Sequence, residues 1–253
     1  MSLITVSRVR QSAEALPFAA KLDCSAQDLP ILPGSVRQHS VSFKMGLESI
    51  PRFDTISLPP ELTKAVPRRQ LEFRAGRYCA AQALAGLIGD PWSAVGRRAD
   101  GSAVWPSGIV GSITHTAGFA SAAVAPASAF SGVGIDAEMV VSRQRAVSIA
   151  ETVASPAEFS RWRLAGFDVP QAVTATFSVK EAVFKCLFPL VGRRFGFHDA
   201  LLETIDVNRG VLGLRLVTTL SGTFNSGMAL ECQFAFEDDY VRTGIALQVR
   251  GLI

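Results

Sequence analysis

The chain has 253 residues, 48% of them hydrophobic, a net charge of +3 and a mean hydropathy of +0.27, which suits a globular protein with a sizeable core rather than a disordered chain. No window supplies the ~18 consecutive apolar residues of a spanning helix, and the start lacks the charged and apolar regions of a secretory leader, so the expectation is a cytoplasmic protein with no membrane span. Cys24, Cys79, Cys186 and Cys232 are scattered without a C-x-x-C pair, which argues against a zinc site or a disulfide framework. A pI near 8.8 permits a phosphate-rich or acidic partner, but the dense basic stripes of a nucleic-acid binder are missing.

Along the chain, the first 50 or so residues are irregular and punctuated by proline, with pieces such as "DLPILPGSV" and "SVSFKMG" that suit strands or edge segments. A helix is predicted from Pro67 through "RRQLEFRAGRYCAAQALAGLI", with Gly89 as its cap. After a loop, "IVGSITHT" and "FASAAVAP" read as a strand pair turning at Ala117 and Gly118. "ASAFSG" is small and linker-like. The strand "GVGID", helical stretches around 144–165 and a longer helix opened by Pro170 follow. From Ala200 the alternation of apolar and polar residues predicts an antiparallel meander with turns at "NRG" and "EDD". This order fits an α+β fold in two halves, 1–128 and 129–253, better than a parallel βαβ wind.

Four stretches carry side chains suited to chemistry. In "GVGIDAEMV", Asp136 and Glu138 are two apart and share one strand face, so two acids crowd one patch and call for a cation opposite. In "FSVKEAVFK", Lys180, Glu181 and Lys185 lie on one helical stretch, with Glu181 and Lys185 in the favourable i, i+4 order. Asp136, Glu138 and Glu181 together would offer three oxygen ligands to a hard cation such as Mg²⁺, leaving positions for a pyrophosphate. "GSITHTAG" sets His115 between two hydroxyls, Thr114 and Thr116, and the helix from Pro67 carries Arg69 and Arg77, about 80° apart on its surface and able to flank one groove. Taken singly, each has a plain structural reading: an acidic turn, a solvated salt-bridge face, a capping histidine, a basic surface.

Jointly, "GVGID-A-E", "FSVKEAVFK", "GSITH", "EFRAGRYCAAQAL" and the "WPSG" loop resemble the 4′-phosphopantetheinyl transferases, in particular the larger monomeric type similar to enterobactin-synthase-associated enzymes, over about Pro60 to Ala200. The resemblance implies two structurally similar α+β halves related by a pseudo-twofold, with the active site in the cleft between them. It also implies transfer of 4′-phosphopantetheine from coenzyme A to a serine of an apo carrier protein (acyl, peptidyl or aryl), with release of 3′,5′-ADP and with Mg²⁺, or Mn²⁺, as cofactor. By position, Asp136, Glu138 and Glu181 would be metal ligands, and Glu181 also the base. Lys185 would be catalytic and bind phosphate, while Arg69, Arg77, Thr114, His115 and Lys180 would contact CoA phosphates. Similar proteins often carry a lysine where Asp100 stands, five residues before Trp105; Arg97 or Arg98 would substitute for it. The segment 189–197, with Arg193, Arg194, Phe195 and Phe197, is either a carrier-docking surface or a packed segment with solvated arginines. The competing functions are another Mg²⁺-dependent phosphoryl-transfer or hydrolytic activity, and a non-catalytic module that binds CoA or a carrier protein.

Overall fold

The computed structural model describes residues 24–27, 31–44, 50–89, 95–237 and 239–249. Strands β1 (Cys24–Gln27) and β2 (Arg37–Phe43) lead to helix α1 (Pro67–Ile88), then to a small hairpin of β3 (Gly96–Arg97) and β4 (Ala103–Val104). Next come β5 (Ile109–Thr116), β6 (Phe119–Pro126) and β7 (Phe130–Met139). The remainder holds α2 (Arg143–Val153), α3 (Pro156–Leu164), α4 (Val169–Val191) and strands β8 (Ala200–Asp206), β9 (Val211–Leu216), β10 (Ala229–Glu237) and β11 (Tyr240–Gln248).

The strands form two antiparallel sheets, ordered β1-β2-β6-β5 and β7-β11-β10-β9-β8. Helix α1 buries Leu71, Ala75, Cys79 and Leu84 against Val41, Phe53, Ala120 and Val124 of the first sheet side. Helix α4 buries Val179, Val183 and Leu187 with Trp162, Leu202, Leu212, Leu214 and Ile245 on the second. A smaller apolar group, Leu32, Val36, Ala123, Ala125, Phe130, Val133 and Ile135, lies where the sheets meet. The α+β class is as expected, and the common plan of the two sheets is one long helix laid across each; strand number and order differ.

Several local expectations hold for a physical reason. Pro67 opens α1, and Gly89 closes it in the left-handed region at φ 75. Asp168 caps α4 by accepting from the Gln171 amide at 2.9 Å, with Pro170 in the first turn. The meander from Ala200 is present. Other readings need correction. Half of "ASAFSG" is strand, because β7 begins at Phe130 and only 127–129 connect it to β6. Residues 31–36 form a turn rather than a strand, and the end of "SVSFKMG" lies outside the described residues. Cys79, Cys186 and Cys232 are buried thiols outside any disulfide.

A candidate active site between strand β7 and helix α4

The face of β7 that carries Asp136 and Glu138 also carries Gly132 and Gly134, since alternate residues share a side. A Cβ at Gly134 would fall on the Ala182 carbonyl oxygen of α4, and one at Gly132 would sit 2.9 Å from the Cys186 oxygen. The two glycines therefore let α4 lie directly on the strand, and the two acids continue the same face toward the polar side of the helix. That approach brings Lys185 to Asp136, Nζ to Oδ1 at 2.6 Å, with Thr114 Oγ1 donating to the same oxygen at 3.0 Å. Lys185 Nζ is also 3.4 Å from Thr114 Oγ1. Among the described residues Lys185 pairs with Asp136 and not with Glu181, although the sequence spacing favours the helical pair.

The second oxygen of Asp136, Oδ2, is buried without a hydrogen-bond partner. Burial and the neighbouring Asp136 charge, with a further contribution from Glu181, push the Glu138 carboxyl up to about 7 despite the opposing Lys185. Burial and Asp136 likewise raise Glu181, against Lys185. Three carboxyl groups thus sense one another around a buried lone pair. Among the described residues no three His, Cys, Asp or Glu side chains already converge as a metal cage. The hard-oxygen donor set and the orphaned Oδ2 fit a divalent cation.

Lys180 requires a correction. Its ammonium lies 2.8 Å from Glu158 Oε1 and donates to the Val153 carbonyl at 3.0 Å, with both charged side chains 1% exposed. Glu158 also accepts from the Ser155 amide and hydroxyl and from the Leu202 amide. Lys180 therefore binds α4 to α2, α3 and β8 and is not among the residues that line the neighbouring cleft. Five residues along a helix is about 140° of rotation, so Lys180 and Lys185 face opposite ways.

A cleft of about 470 Å³ adjoins the Lys185 end of this cluster and is lined by Arg69, Arg77, Arg98, His115 and Lys185, a volume within the usual range for small-molecule sites. Arg69 Nη1 donates to His115 Nε2 at 2.6 Å. Burial and the Arg69 charge push the imidazole down to about 4, so it is neutral near pH 7. Arg77 donates to the Gly96 carbonyl at 3.1 Å and stands over the Phe73 ring; burial and Arg97 lower its pKa to about 10. Arg98 is exposed at the mouth and donates to the Ala103 carbonyl at 2.9 Å, while Arg97 pairs with Glu61 at 3.0 Å. Asp100, where the lysine was expected, accepts from the Ser102 amide and hydroxyl and so closes the β3–β4 turn.

The segment after α4 divides its tasks. Arg193 ties to the Leu220 and Thr219 carbonyls at 2.9 and 2.6 Å, and Phe195 packs on Phe184 with ring centroids 5.1 Å apart. Arg194 is exposed and lines the cleft. Phe73, Trp105, Phe184 and Phe188 line the cleft without having been singled out as binding groups, and Arg194, expected at a carrier-docking surface, lines it too. Trp105 lies against strand β5 at Gly111, where a Cβ would sit 2.9 Å from its ring, a contact that only the tertiary structure shows.

Residues 58–125 match the 4'-phosphopantetheinyl transferase N-terminal domain and residues 132–241 the 4'-phosphopantetheinyl transferase superfamily. The chain is 34% identical over 195 residues to the 4'-phosphopantetheinyl transferase Npt of Nocardia iowensis, covering 73% of this chain and 85% of that protein. It is 36% identical over 200 residues to PptT of Mycobacterium tuberculosis, covering 74% and 83%, and 30% identical over 172 residues to enterobactin synthase component D of Salmonella typhi, covering 67% and 70%. A solved holo-(acyl-carrier-protein) synthase from Bacillus anthracis superposes on 48% of this chain and 99% of its own at 16% identity and a TM-score of 0.34, too slight a likeness to place any ligand. With both halves matched in order and relatives covered over most of their length, the chain belongs to the 4′-phosphopantetheinyl transferase superfamily.

Proposed function

We propose that the protein transfers the 4′-phosphopantetheine group of coenzyme A to a serine hydroxyl of an apo carrier protein and releases 3′,5′-ADP. The observation that carries this reading is the continuity of the arginine-lined cleft with the Lys185–Asp136 pair: one wall suited to a nucleotide's phosphates ends at a cluster of carboxylates and a cation. The relatives named phosphopantetheinyl transferases support it. In this reading Arg69, Arg77, Arg98 and His115 hold CoA phosphates, joined by Arg194. Lys185 leaves Asp136 to neutralise charge on the bridging oxygen as the nucleotide departs. Glu181, whose carboxyl burial shifts upward, takes the proton of the serine hydroxyl in this reading.

Mg²⁺, or Mn²⁺ in its place, is the proposed metal, held by Asp136, Glu138 and Glu181. The unpartnered Asp136 Oδ2 and the upward shift of Glu138 favour that assignment, since a cation would relieve both. When bound, the metal supplies charge neutralisation at pyrophosphate oxygens. Residues 1–128 and 129–253 are proposed as the two functional halves, the first holding CoA and the second the metal. The proposed setting is a cytoplasmic monomer acting on small protein partners; no helix among the described residues is long and apolar enough to cross a membrane. The test is incubation with apo carrier protein, CoA and Mg²⁺, read by mass spectrometry. A phosphopantetheine adduct on the carrier is expected. CoA consumption without an adduct would instead assign a hydrolase, and no consumption a binding module.

A further inference from the structure

A carboxylate stands inside the cationic wall of the cleft. Glu72, one turn into α1, is only 7% exposed and engages three cationic or basic neighbours. Its Oε1 accepts from Arg68 Nε at 2.8 Å, and its Oε2 lies 3.8 Å from Arg69 Nη1 and 3.7 Å from His115 Nδ1. On charge alone a buried acid beside an anion site is a handicap, because it repels the phosphates that the arginines attract. Its retention there needs a task that outweighs this.

The hydrogen-bond logic supplies one. A guanidinium only donates, so the His115 Nε2 that meets Arg69 Nη1 at 2.6 Å must be the accepting nitrogen. In the neutral ring the proton then sits on Nδ1, the nitrogen turned toward Glu72 Oε2. One carboxylate thereby anchors Arg68 with one oxygen and, with the other, faces both Arg69 and the protonated nitrogen of His115. Lys185 and Asp136 act on His115 too, from α4 and β7, but neither makes a pair with it at this range. Arg68 and Arg69 are otherwise long, mobile side chains, 61% and 41% exposed, whose ordering on ligand arrival costs entropy.

We propose that Glu72 is a positioning residue of the phosphate-binding wall, fixing the Arg69 side chain and the tautomer of His115 before coenzyme A arrives. This rests on the cleft being the CoA site. Its cost in repulsion is exchanged for preorganisation, and its effect falls on binding of CoA rather than on the chemical step.

The test combines kinetics with spectroscopy. E72Q is expected to raise KM for CoA about tenfold with kcat within about twofold of the wild type, the loss of one charge-assisted anchor. Because Glu72 acts in part through Arg69, the double variant R69A/E72Q should lose less CoA affinity than the sum of the two single losses. In the wild type, ¹⁵N NMR at pH 7 should find His115 in the Nδ1–H form. An Nε2–H ring in the wild type, an unchanged KM in E72Q, or additive losses in the double variant would each overturn the proposal. The wild-type NMR measurement decides even if E72Q fails to fold. If the wild type transferred nothing from CoA, the transfer reading would fall, and calorimetric affinity for CoA in the same variants would still decide the role of Glu72.

Discussion

Lys180 and Lys185 are five residues apart, chemically identical, and opposite in task. Lys180 is sealed with Glu158, and removing one member of such a pair leaves a buried charge alone. Lys180→Met should therefore cost about 3–5 kcal/mol in urea unfolding, and Lys180→Met with Glu158→Gln, which removes the stranded charge but keeps an acceptor for the Ser155 and Leu202 donors, should recover part of it. Lys185, with a side chain 28% exposed, stands at the cleft. Lys185→Ala should lower turnover on the order of 10²-fold or more with a small change in Tm. Near-normal turnover in that variant would remove Lys185 from the chemistry.

Glu138 adds a proton-linked effect at the same scale. Unfolded, its carboxyl loses the proton near 4.5; folded, it keeps it to about 7. Its contribution to stability is therefore full below the unfolded value and is lost as pH rises through about 7. His115 acts in the opposite sense, since the unfolded ring takes up a proton near 6.5 that the folded ring refuses until about 4. The two trends overlap, so the total pH profile does not separate them. The Mg²⁺-induced rise in Tm does: with Glu138 as a ligand, as proposed, it should grow from about pH 5.5 to about pH 8, because metal binding would displace the Glu138 proton. A rise independent of pH would disconnect Glu138 from the metal.

At the scale of elements, the packing of α4 on β7 sets the site. Gly134→Ala would place a methyl on the Ala182 carbonyl, and the helix must lift or shift to admit it. The expected result is a large activity loss with all site side chains intact, checked by CoA-dependent transfer alongside circular dichroism. The α1 and α4 helices, the β5–β6 hairpin and the terminal meander were legible in the sequence, because proline, glycine and periodicity act locally. Asp136 and Glu138 were legible as one strand-face pair, and Glu181 with Lys185 as one helical pair, because strand alternation and helical spacing act locally; the family resemblance joined the two pairs. What stayed hidden was set by tertiary contact. Nothing local says that Lys180 points inward to Glu158, that Asp136 takes Lys185 from Glu181, or that Glu72 sits among the arginines. Those depend on which helix face meets which strand.

At the scale of the molecule, the two sheets meet without sharing a ladder. Among the described residues β5 and β7 belong to different sheets. The Ile135 amide donates to Ser112 Oγ at 3.1 Å, and the Ala137 amide to Thr114 Oγ1 at 3.2 Å. Two hydroxyls from "GSITH" thus stand in for a neighbouring strand, beside the apolar contacts of Val133 and Ile135 with Ala123 and Ala125. Thr114→Val keeps the shape but orphans the Ala137 amide and strips a donor from Asp136. Its expected cost is about 1–3 kcal/mol in urea unfolding, with a loss of turnover that exceeds the loss in CoA affinity.

A seam closed by side chains behaves differently from one closed by peptide groups. Rotating two hydroxyls about their χ1 bonds would free the outer edge of β7 without breaking any strand register, so opening at this seam is expected to cost less than unzipping a ladder. The amides of Ile135 and Ala137 are its natural gauges. Their deuterium exchange should outpace that of the neighbouring β7–β11 ladder in the free protein and slow sharply once CoA bridges the cleft.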